Sequence, residues 1–265
     1  MDGRTTPGAA PILEVEGLSK SFAGVQALDS YMLRLAPLAI HGVIGPNGAG
    51  KTTLFNMLTG FLLPTAGAIR FLGRDITRLP AYRVARLGIG RTFQNIRLFG
   101  QLSAIDNVKA ALQSQAPASL IGTLLSSPAF RRGERALDAR AQELLERVGV
   151  AGRRDQESRT LPYGDQRRLE IARAVALNPK VLLLDEPNAG MNPNETAELL
   201  GLIRRLRDEL KITIVLVAHD IPLVMNLCDT IQVLNYGKLI AEGAPAAVRS
   251  NPEVIAAYLG TVSSQ

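Results

Sequence analysis

The stretch from residue 45 to residue 53 limits the possible folds of this chain more than any other. It reads Gly-Pro-Asn-Gly-Ala-Gly-Lys-Thr-Thr, which fits the phosphate-loop pattern G-x-x-x-x-G-K-[ST]. A short apolar run at 40–44 precedes it, and Leu54, Phe55 and Leu58 recur at helical spacing after it. A chance glycine-rich turn is the alternative, but the flanking strand and helix favour a phosphate loop inside an α/β fold.

The residues of this loop suit the binding of a nucleotide. Glycines let backbone N–H groups turn toward phosphates, and the start of the following helix adds a positive dipole end. Lys51 supplies a catalytic cation for the outer phosphates, and the hydroxyl of Thr52 can join the coordination of Mg²⁺. The predicted ligands of ATP here are Asn47, Gly48, Gly50, Lys51, Thr52 and Thr53.

Two carboxylates follow a second apolar strand, predicted over 181–184. Ligands of open α/β sheets bind at the carboxyl ends of the strands, which is where Asp185 and Glu186 stand. Asp185 suits the Mg²⁺ shell, and Glu186 suits the polarisation of an attacking water. Acids at a strand end are often only structural, but beside a phosphate loop the catalytic interpretation is favoured.

His219 closes a third predicted strand, over 212–218, and is followed by Asp220 and Pro222. This pattern indicates a helix start with Asp220 as the N-cap. It also fits a strand end that presents His219 to the γ-phosphate, and both interpretations can hold together. His41, inside the strand before the phosphate loop, is interpreted as structural.

Composition excludes several classes of protein. The chain has 265 residues, no Trp and one cysteine, Cys228, so a disulfide framework and a multi-cysteine metal site are ruled out. Low aromatic content argues against a stacking platform for single-stranded nucleic acid. The net charge of +6 fits nucleic acid, an anionic membrane face or simply solvated helix faces, and does not decide between them. No apolar run approaches the roughly 20 residues of a membrane span, so we expect any membrane attachment to come through partners.

The identifying element is residues 161–174, Leu-Pro-Tyr-Gly-Asp-Gln-Arg-Arg-Leu-Glu-Ile-Ala-Arg-Ala, just before the Asp185 strand. This element resembles the signature loop and helix of ABC transporter nucleotide-binding subunits. The resemblance implies a P-loop NTPase core with a mostly parallel sheet, an antiparallel β subdomain and an inserted α-helical subdomain. The expected boundaries are a flexible N-terminus at 1–11, an ATP-binding core at 12–94 and 161–245, the helical insertion at 95–160, and a C-terminal helical tail at 246–265.

The resemblance also implies roles for residues outside the phosphate loop. Phe22 matches an aromatic that stacks on adenine, and Gln94 matches a glutamine that reaches Mg²⁺ and links the core to the helical subdomain. Residues 188–193 match the loop that crosses the interface between two such subunits. In the family, two ATPases pair head to tail, and ATP lies between one phosphate loop and the other subunit's signature. The resemblance therefore implies that Tyr163, Gly164, Asp165 and Gln166 of this chain contact ATP in trans.

A narrower resemblance is to the first ATPase of branched-chain amino acid importers. It rests on residues 91–99, Arg-Thr-Phe-Gln-Asn-Ile-Arg-Leu-Phe, on residues 127–132 and on the tail at 251–255. It implies a bacterial importer with a second ABC ATPase, two membrane permeases and, indirectly, a periplasmic or extracellular solute-binding protein. The chain would then lie peripherally on the cytoplasmic face of the inner membrane, and no nucleic acid is expected as a partner.

Several positions depart from the general pattern. Pro162 stands where the signature usually has serine, Asn188 where the subfamily has alanine, and residues 37–39 where the family has Gly-Glu. The phosphate loop, Asp185, Glu186 and His219 are intact. We therefore expect the ATP site that uses this phosphate loop to turn over faster than the site that uses residues 162–166.

Two other function classes are weighed against the importer. A soluble ABC ATPase acting on nucleic acid or ribosomes would suit the positive charge, but known versions carry a long coiled-coil insertion or two fused ATPase domains. The insertion here is too short and irregular for a long coiled coil. A small-molecule kinase built on the same loop would leave the signature helix unexplained.

Overall fold

The computed structural model describes residues 10–114, 128–218 and 220–259. The described residues form two compact units. The first falls within Met1–Arg91, Lys180–Glu186 and Ile203–Gln265, and the second within Thr92–Pro179 and Pro187–Leu202.

The strands all belong to the first unit. They are β1 (Leu13–Phe22), β2 (Val25–Leu35), β3 (Ile40–Ile44), β4 (Ala66–Phe71), β5 (Arg74–Asp75), β6 (Ile89–Arg91), β7 (Val181–Asp185), β8 (Thr213–Val217), β9 (Thr230–Asn235) and β10 (Lys238–Gly243). The helices are α1 (Lys51–Leu58), α2 (Ala81–Leu87), α3 (Ala104–Gln113), α4 (Pro128–Val148), α5 (Tyr163–Ala176), α6 (Pro193–Leu210), α7 (Ile221–Leu227), α8 (Pro245–Arg249) and α9 (Pro252–Leu259).

The first unit contains a six-stranded sheet with the strand order β10-β9-β3-β8-β7-β6. Its strands are parallel except for β10, which pairs antiparallel with β9. Every residue of β3, β7 and β8 is buried, which explains why these mostly apolar strands show no alternation of apolar and polar residues. A second, antiparallel sheet has the order β2-β1-β4-β5. One hydrophobic core joins the two sheets with α1.

Helix α7 approaches the central strand β3 closely. A side-chain carbon at Gly42 would lie 2.7 Å from Val224 Cγ1 and 2.9 Å from Cys228 Sγ, so only glycine fits there. Cys228 is 7% exposed, and burial raises the pKa of its thiol. Cys228 is therefore a buried residue that packs against β3.

His41 is part of a buried polar cluster to which both sheets contribute. The Tyr31 hydroxyl donates a hydrogen bond to Gln232 Oε1, and Gln232 Nε2 donates to the carbonyl oxygen of Met32 at 3.0 Å. His41 is 4% exposed, and burial lowers the pKa of its imidazole, although Gln232 and Glu242 act in the opposite direction. His41 is structural, as expected.

Helices α3, α4 and α5 pack against one another in the second unit. Ser103 caps α3 by accepting a 3.2 Å hydrogen bond from the Asp106 N–H. Asn107 is fully buried and donates to Phe99 O at 3.1 Å and to Ser158 Oγ at 3.2 Å. These bonds tie the start of α3 to the chain that leads into α5.

The predicted fold class is confirmed. The residue patterns also predict a strand over 89–93 and helices over 166–177 and 196–210, and the predicted bounds of these three elements are wrong. Strand β6 ends at Arg91 and does not extend to Phe93. Helix α5 begins at Tyr163 and not at residue 166, since Gln166 N donates to Pro162 O at 3.0 Å. Helix α6 begins at Pro193 and not at residue 196, because Asn192 and Glu195 cap each other.

Among the helices of the described residues, none combines the length and the apolar character needed to cross a membrane.

Candidate functional site

The phosphate loop joins β3 to α1, as the sequence predicts. Gly50 is the N-cap of α1 with a left-handed φ of 103°, and Lys51 is the first helical residue. Lys51 is 7% exposed, and its Nζ donates to the carbonyls of Gly45 at 2.6 Å and Pro46 at 2.8 Å. Burial lowers the pKa of Lys51, while Glu186 and Asp185 act in the opposite direction. The lysine is therefore held inside the loop, within the electrostatic range of both carboxylates.

At two positions of the loop only glycine avoids a clash with a neighbouring backbone carbonyl. A side-chain carbon at Gly45 would lie 2.1 Å from the carbonyl oxygen of Leu234, and one at Gly50 would lie 2.5 Å from that of Ala27. Nothing lies within 4 Å of such a carbon at Gly48. Asn47, Gly48 and Thr52 are exposed, so this face of the loop is open to a ligand.

Phe22 lies at the end of β1, in the hairpin that β1 forms with β2. Phe22 is 45% exposed, and Lys20 Nζ lies 5.1 Å from its ring centroid. Ala27, on β2 of the same hairpin, is the residue whose carbonyl packs against Gly50. The structure thus places the Phe22 hairpin beside the phosphate loop, with an aromatic face available for stacking.

Asp185 and Glu186 stand at the carboxyl end of β7. The β3 and β7 strands flank β8 in parallel register, so their carboxyl ends share one edge of the sheet. Asp185 is 4% exposed. Glu186 has a left-handed φ of 45°, and its N–H donates to Val217 O at 2.8 Å. A non-glycine residue in this conformation is strained, which is frequent at functional sites.

Arg91 is the partner of Asp185. Its Nη2 donates to Asp185 Oδ2 at 2.9 Å, and the two side chains are 6% and 5% exposed. Its Nη1 donates to Asn56 Oδ1 on α1 at 2.8 Å and to Thr59 Oγ1, at the C-cap of that helix, at 3.2 Å. The guanidinium carbon lies 5.5 Å from the ring centroid of Phe55. One buried cation thus connects the Asp185 carboxylate to the helix of the phosphate loop.

The side chains at the carboxyl ends of β3 and β7 carry oxygen atoms of the kinds that bind Mg²⁺. No group of three His, Cys, Asp or Glu able to hold a metal exists among the described residues. Mg²⁺ bound with a nucleotide needs few protein ligands, because phosphate oxygens and waters complete its shell. A hydroxyl at Thr52 and a carboxylate at Asp185 are the ligand types that such an ion takes.

The signature segment begins helix α5 in the second unit. Pro162 is the N-cap and offers no side-chain cap, and the Asp165 carboxylate in the first turn accepts from Arg153 Nε at 2.8 Å. Gln166 Nε2 donates to Leu161 O at 2.8 Å. Tyr163 is 43% exposed. Tyr163, Gly164, Asp165 and Gln166 therefore all lie in the first turn of one helix.

The Gln94 segment is held by the same helix. The side chain of Arg167 is fully buried, and it donates to the carbonyls of Phe93 at 2.6 Å and Gln94 at 2.7 Å. Glu170 accepts from the N–H groups of Phe93 at 3.2 Å and Arg97 at 3.4 Å. Arg167 and Glu170 also pair with each other at 3.0 Å. Burial raises the pKa of Glu170, whereas these donors act in the opposite direction.

The segment at 188–193 lies against the signature. Gly190 has a φ of 75°, and a side-chain carbon there would lie 3.1 Å from the Tyr163 ring. A side-chain carbon at Gly164 would lie 3.0 Å from Glu195 Oε1. The second unit therefore brings the signature and the 188–193 segment together.

His219 lies outside the described residues. Asp220, which follows it, caps α7 by accepting a 3.1 Å hydrogen bond from the Leu223 N–H. The expected helix start, with Pro222 in its first turn, is confirmed.

Three residues of these sites were not identified from sequence: Arg91, Arg167 and Glu170. Arg167 and Glu170 gave a signal, since they are charged residues at i and i+3 on an otherwise apolar helix face. Arg91 gave none, because its place beside the Asp185 strand follows from the order of strands in the sheet.

Comparisons with known proteins agree with this geometry. The model of the ABC transporter family matches residues 28–189, and that of the branched-chain amino acid ATP-binding cassette transporter matches residues 238–263. BraF of Pseudomonas aeruginosa, a high-affinity branched-chain amino acid transport ATP-binding protein, is 46% identical over 94% of this chain and 98% of its own length. LivG of Escherichia coli, which has the same description, is 46% identical over the same shares.

More distant relatives have the same fold. LptB of Acidithiobacillus ferridurans, a lipopolysaccharide export ATP-binding protein, is 36% identical over 94% of this chain and 97% of its own. The crystal structure of MJ1267 in its ADP conformation, an ATP-binding cassette of an ABC transporter, superposes with a TM-score of 0.83 at 29% identity. That superposition covers 95% of this chain and 100% of MJ1267. The chain belongs to the ABC transporter family of ATP-binding proteins, which bind and hydrolyse ATP.

Proposed function

We propose that this chain is the ATP-hydrolysing subunit of a bacterial importer for branched-chain or other hydrophobic amino acids. The observation that carries the proposal is the shared sheet edge, where the phosphate loop after β3 and the Asp185–Glu186 pair after β7 stand together. The choice of solute rests on the 46% identity to two branched-chain amino acid transport ATPases and on the family match at 238–263.

The chemistry assigned to this edge follows from its side chains. Lys51 and the backbone N–H groups from Asn47 to Thr53 bind and orient the phosphates of ATP. Glu186 accepts a proton from the attacking water, and His219 holds the γ-phosphate. Thr52, Asp185 and Gln94 would hold Mg²⁺, which neutralises charge on the transferred phosphoryl group when it is bound.

A second ABC ATPase completes each ATP site in this proposal, whether it is a copy of this chain or a sister protein. Phe22 stacks on adenine, and Tyr163, Gly164, Asp165 and Gln166 contact the ATP held by the other subunit. The exposed Phe22 ring and the uncapped first turn of α5 support these roles. Two permeases in the membrane bind the ATPase pair on its cytoplasmic face, and a solute-binding protein outside delivers the amino acid.

The two ATP sites are proposed to differ in rate. The N-cap position of α5 is Pro162, which has no hydroxyl to offer a γ-phosphate, and the Asp165 carboxylate in the first turn pairs with Arg153. The site that uses this signature would therefore be slower than the site that uses this chain's phosphate loop. Closure on ATP would move the Gln94 segment, and with it a permease helix docked near the start of the helical insertion.

The test is affinity purification of the tagged chain from its native membranes in mild detergent, followed by mass spectrometry. Two polytopic permeases and a second ATPase are expected, and the same preparation in liposomes should take up leucine only with ATP. Purification from cells with the untagged chain is the control. Ribosomal or nucleic-acid-binding proteins without permeases would contradict the importer while leaving the ATPase intact.

A further inference from the structure

The geometry points to Arg91 as a positioning residue that sets the affinity of the ATP site for Mg²⁺. This inference rests on the proposed function, since it gives Thr52 and Asp185 their roles at the metal. Arg91 itself does not touch the nucleotide in this view. It acts through Asp185, by fixing where that carboxylate stands relative to the helix that begins with the phosphate loop.

The anchors of Arg91 are Asn56 on α1 and Thr59 at its C-cap, and they lie on the same helix face as Thr52. Asn56 follows Thr52 by four residues and Thr59 by seven, a spacing that aligns side chains along one face. Four residues correspond to a rise of about 6 Å, slightly more than one helical turn. The guanidinium is therefore attached about one turn below the hydroxyl that is proposed to bind the metal.

The opposite side of the same guanidinium holds Asp185. The Nη2–Oδ2 distance is 2.9 Å, with both side chains almost fully buried. Together with the contacts to Asn56 at 2.8 Å and Thr59 at 3.2 Å, this makes one rigid path from the carboxylate to α1. Thr59 donates its own hydroxyl hydrogen to Phe55 O at 2.6 Å, so its oxygen is oriented to accept from Arg91.

Two of the three proposed protein ligands of Mg²⁺, Thr52 and Asp185, come from different elements, α1 and β7. Mg²⁺ demands near-ideal octahedral geometry, so a small error in the separation of its ligands weakens binding. Partners that orient a metal ligand typically change metal affinity by roughly 10–100-fold when they are removed. Arg91 is placed to supply this orientation, because it is bonded to both elements at once.

A lysine at position 91 could not make the same set of hydrogen bonds. The planar guanidinium directs two nitrogens to separate acceptors, whereas an ammonium is a single point of charge on a flexible stem. Arg91→Lys therefore keeps the positive charge beside Asp185 and loses the fixed geometry. This substitution separates a positioning role from a simple requirement for charge.

The experiment measures the binding of a fluorescent ATP analogue to the full purified chain, first in EDTA and then during a Mg²⁺ titration. For Arg91→Lys we expect binding in EDTA within about twofold of wild type, because the phosphate loop is unchanged. The Mg²⁺ concentration at half-effect should rise by about tenfold or more. Arg70→Lys is the matched control, because Arg70 pairs with Glu16 at the exposed surface of the same unit, and it should leave both values unchanged.

A second variant tests whether the effect passes through Arg91. Asn56→Leu with Thr59→Val removes the anchors on α1 without touching Asp185, and it should raise the Mg²⁺ requirement by about threefold. In the Arg91→Lys background the same pair of changes should add less than about twofold, because coupled residues are not additive. If Arg91→Lys does not fold, this anchor variant alone carries the test.

An unchanged Mg²⁺ requirement in the folded variants would overturn the inference, and a lower melting temperature alone would then mark Arg91 as a structural ion pair. A wild-type chain that binds the analogue without any response to Mg²⁺ would instead contradict the proposed function. The two failures are therefore distinguishable in one titration series.

Discussion

The guanidinium of Arg167, fully buried, donates a 2.7 Å hydrogen bond to the carbonyl oxygen of Gln94. The two residues are 73 positions apart, and this bond places the Gln94 segment directly on the signature helix. Glu170, on the same helix, accepts hydrogen bonds from the N–H groups of this segment. The segment that precedes the helical insertion and the signature are thus one connected structure within the second unit.

Replacing Arg167 with methionine should strongly destabilise the second unit. Glu170 would keep a buried charge without its cation, and two carbonyls would lose their donor, a loss of about 3–5 kcal/mol. Denaturant titration of the purified chain measures it. Arg168→Met on the same helix is the control, because its partner Glu198 is 64% exposed, and it should cost about 1 kcal/mol or less. Equal losses for both variants would contradict the importance of the buried pair.

Glu186→Gln should separate binding from hydrolysis. The amide cannot accept a proton from water, so the ATPase rate should fall by about 10²–10⁴-fold. ATP binding should stay close to wild type because the phosphate loop is intact. Steady-state hydrolysis by the assembled complex measures the effect. A complex that keeps its ATPase rate near wild type would show that the two sites do not differ as proposed.

His41→Gln should flatten the dependence of stability on pH. Burial lowers the pKa of His41 in the folded chain, so below about pH 6.5 the unfolded chain binds a proton that the folded chain does not. The free energy of unfolding therefore falls as pH decreases, by up to about 1.4 kcal/mol per pH unit for this group. Glutamine removes this contribution. Unfolding titrations at pH 7.0, 6.0 and 5.5 compare the slopes, and identical slopes would refute the assignment.

Leu38→Gly should stabilise the chain. Leu38 has a left-handed φ of 63° and is 44% exposed, and its N–H donates to Thr213 Oγ1 at 2.8 Å. The conformation costs a non-glycine residue about 1–2 kcal/mol, of which glycine recovers part after its larger loss of entropy. A gain of roughly 0.5–1 kcal/mol is expected in thermal unfolding. Leu63→Gly, at a similarly exposed leucine, is the control and should destabilise instead.

Local patterns predicted the parts of the fold that depend on neighbours in the sequence. The strand at 40–44, the phosphate loop and the start of α1 came from one motif, and the strand ending at Asp185 came from one apolar run. The capping pair of Asn192 and Glu195 was equally visible, and overlooking it displaced the predicted start of α6 by three residues.

Distant contacts explain what the sequence could not predict. Phe93 looks like a continuation of strand β6, but its N–H and carbonyl bond to Glu170 and Arg167, so the strand ends at Arg91. The link from Arg91 to Asp185 spans 94 positions and depends on the order of strands in the sheet. Periodicity within one segment carries no information about either contact.

The left-handed backbone at Glu186 sets folding against function at a single position. The change that would relieve the strain most fully is to glycine, and glycine has no carboxylate to activate water. A stabilising change to glycine at this position would thus remove the proposed general base. At Glu186, the substitution that would stabilise the fold is therefore also the one that would reduce ATP hydrolysis.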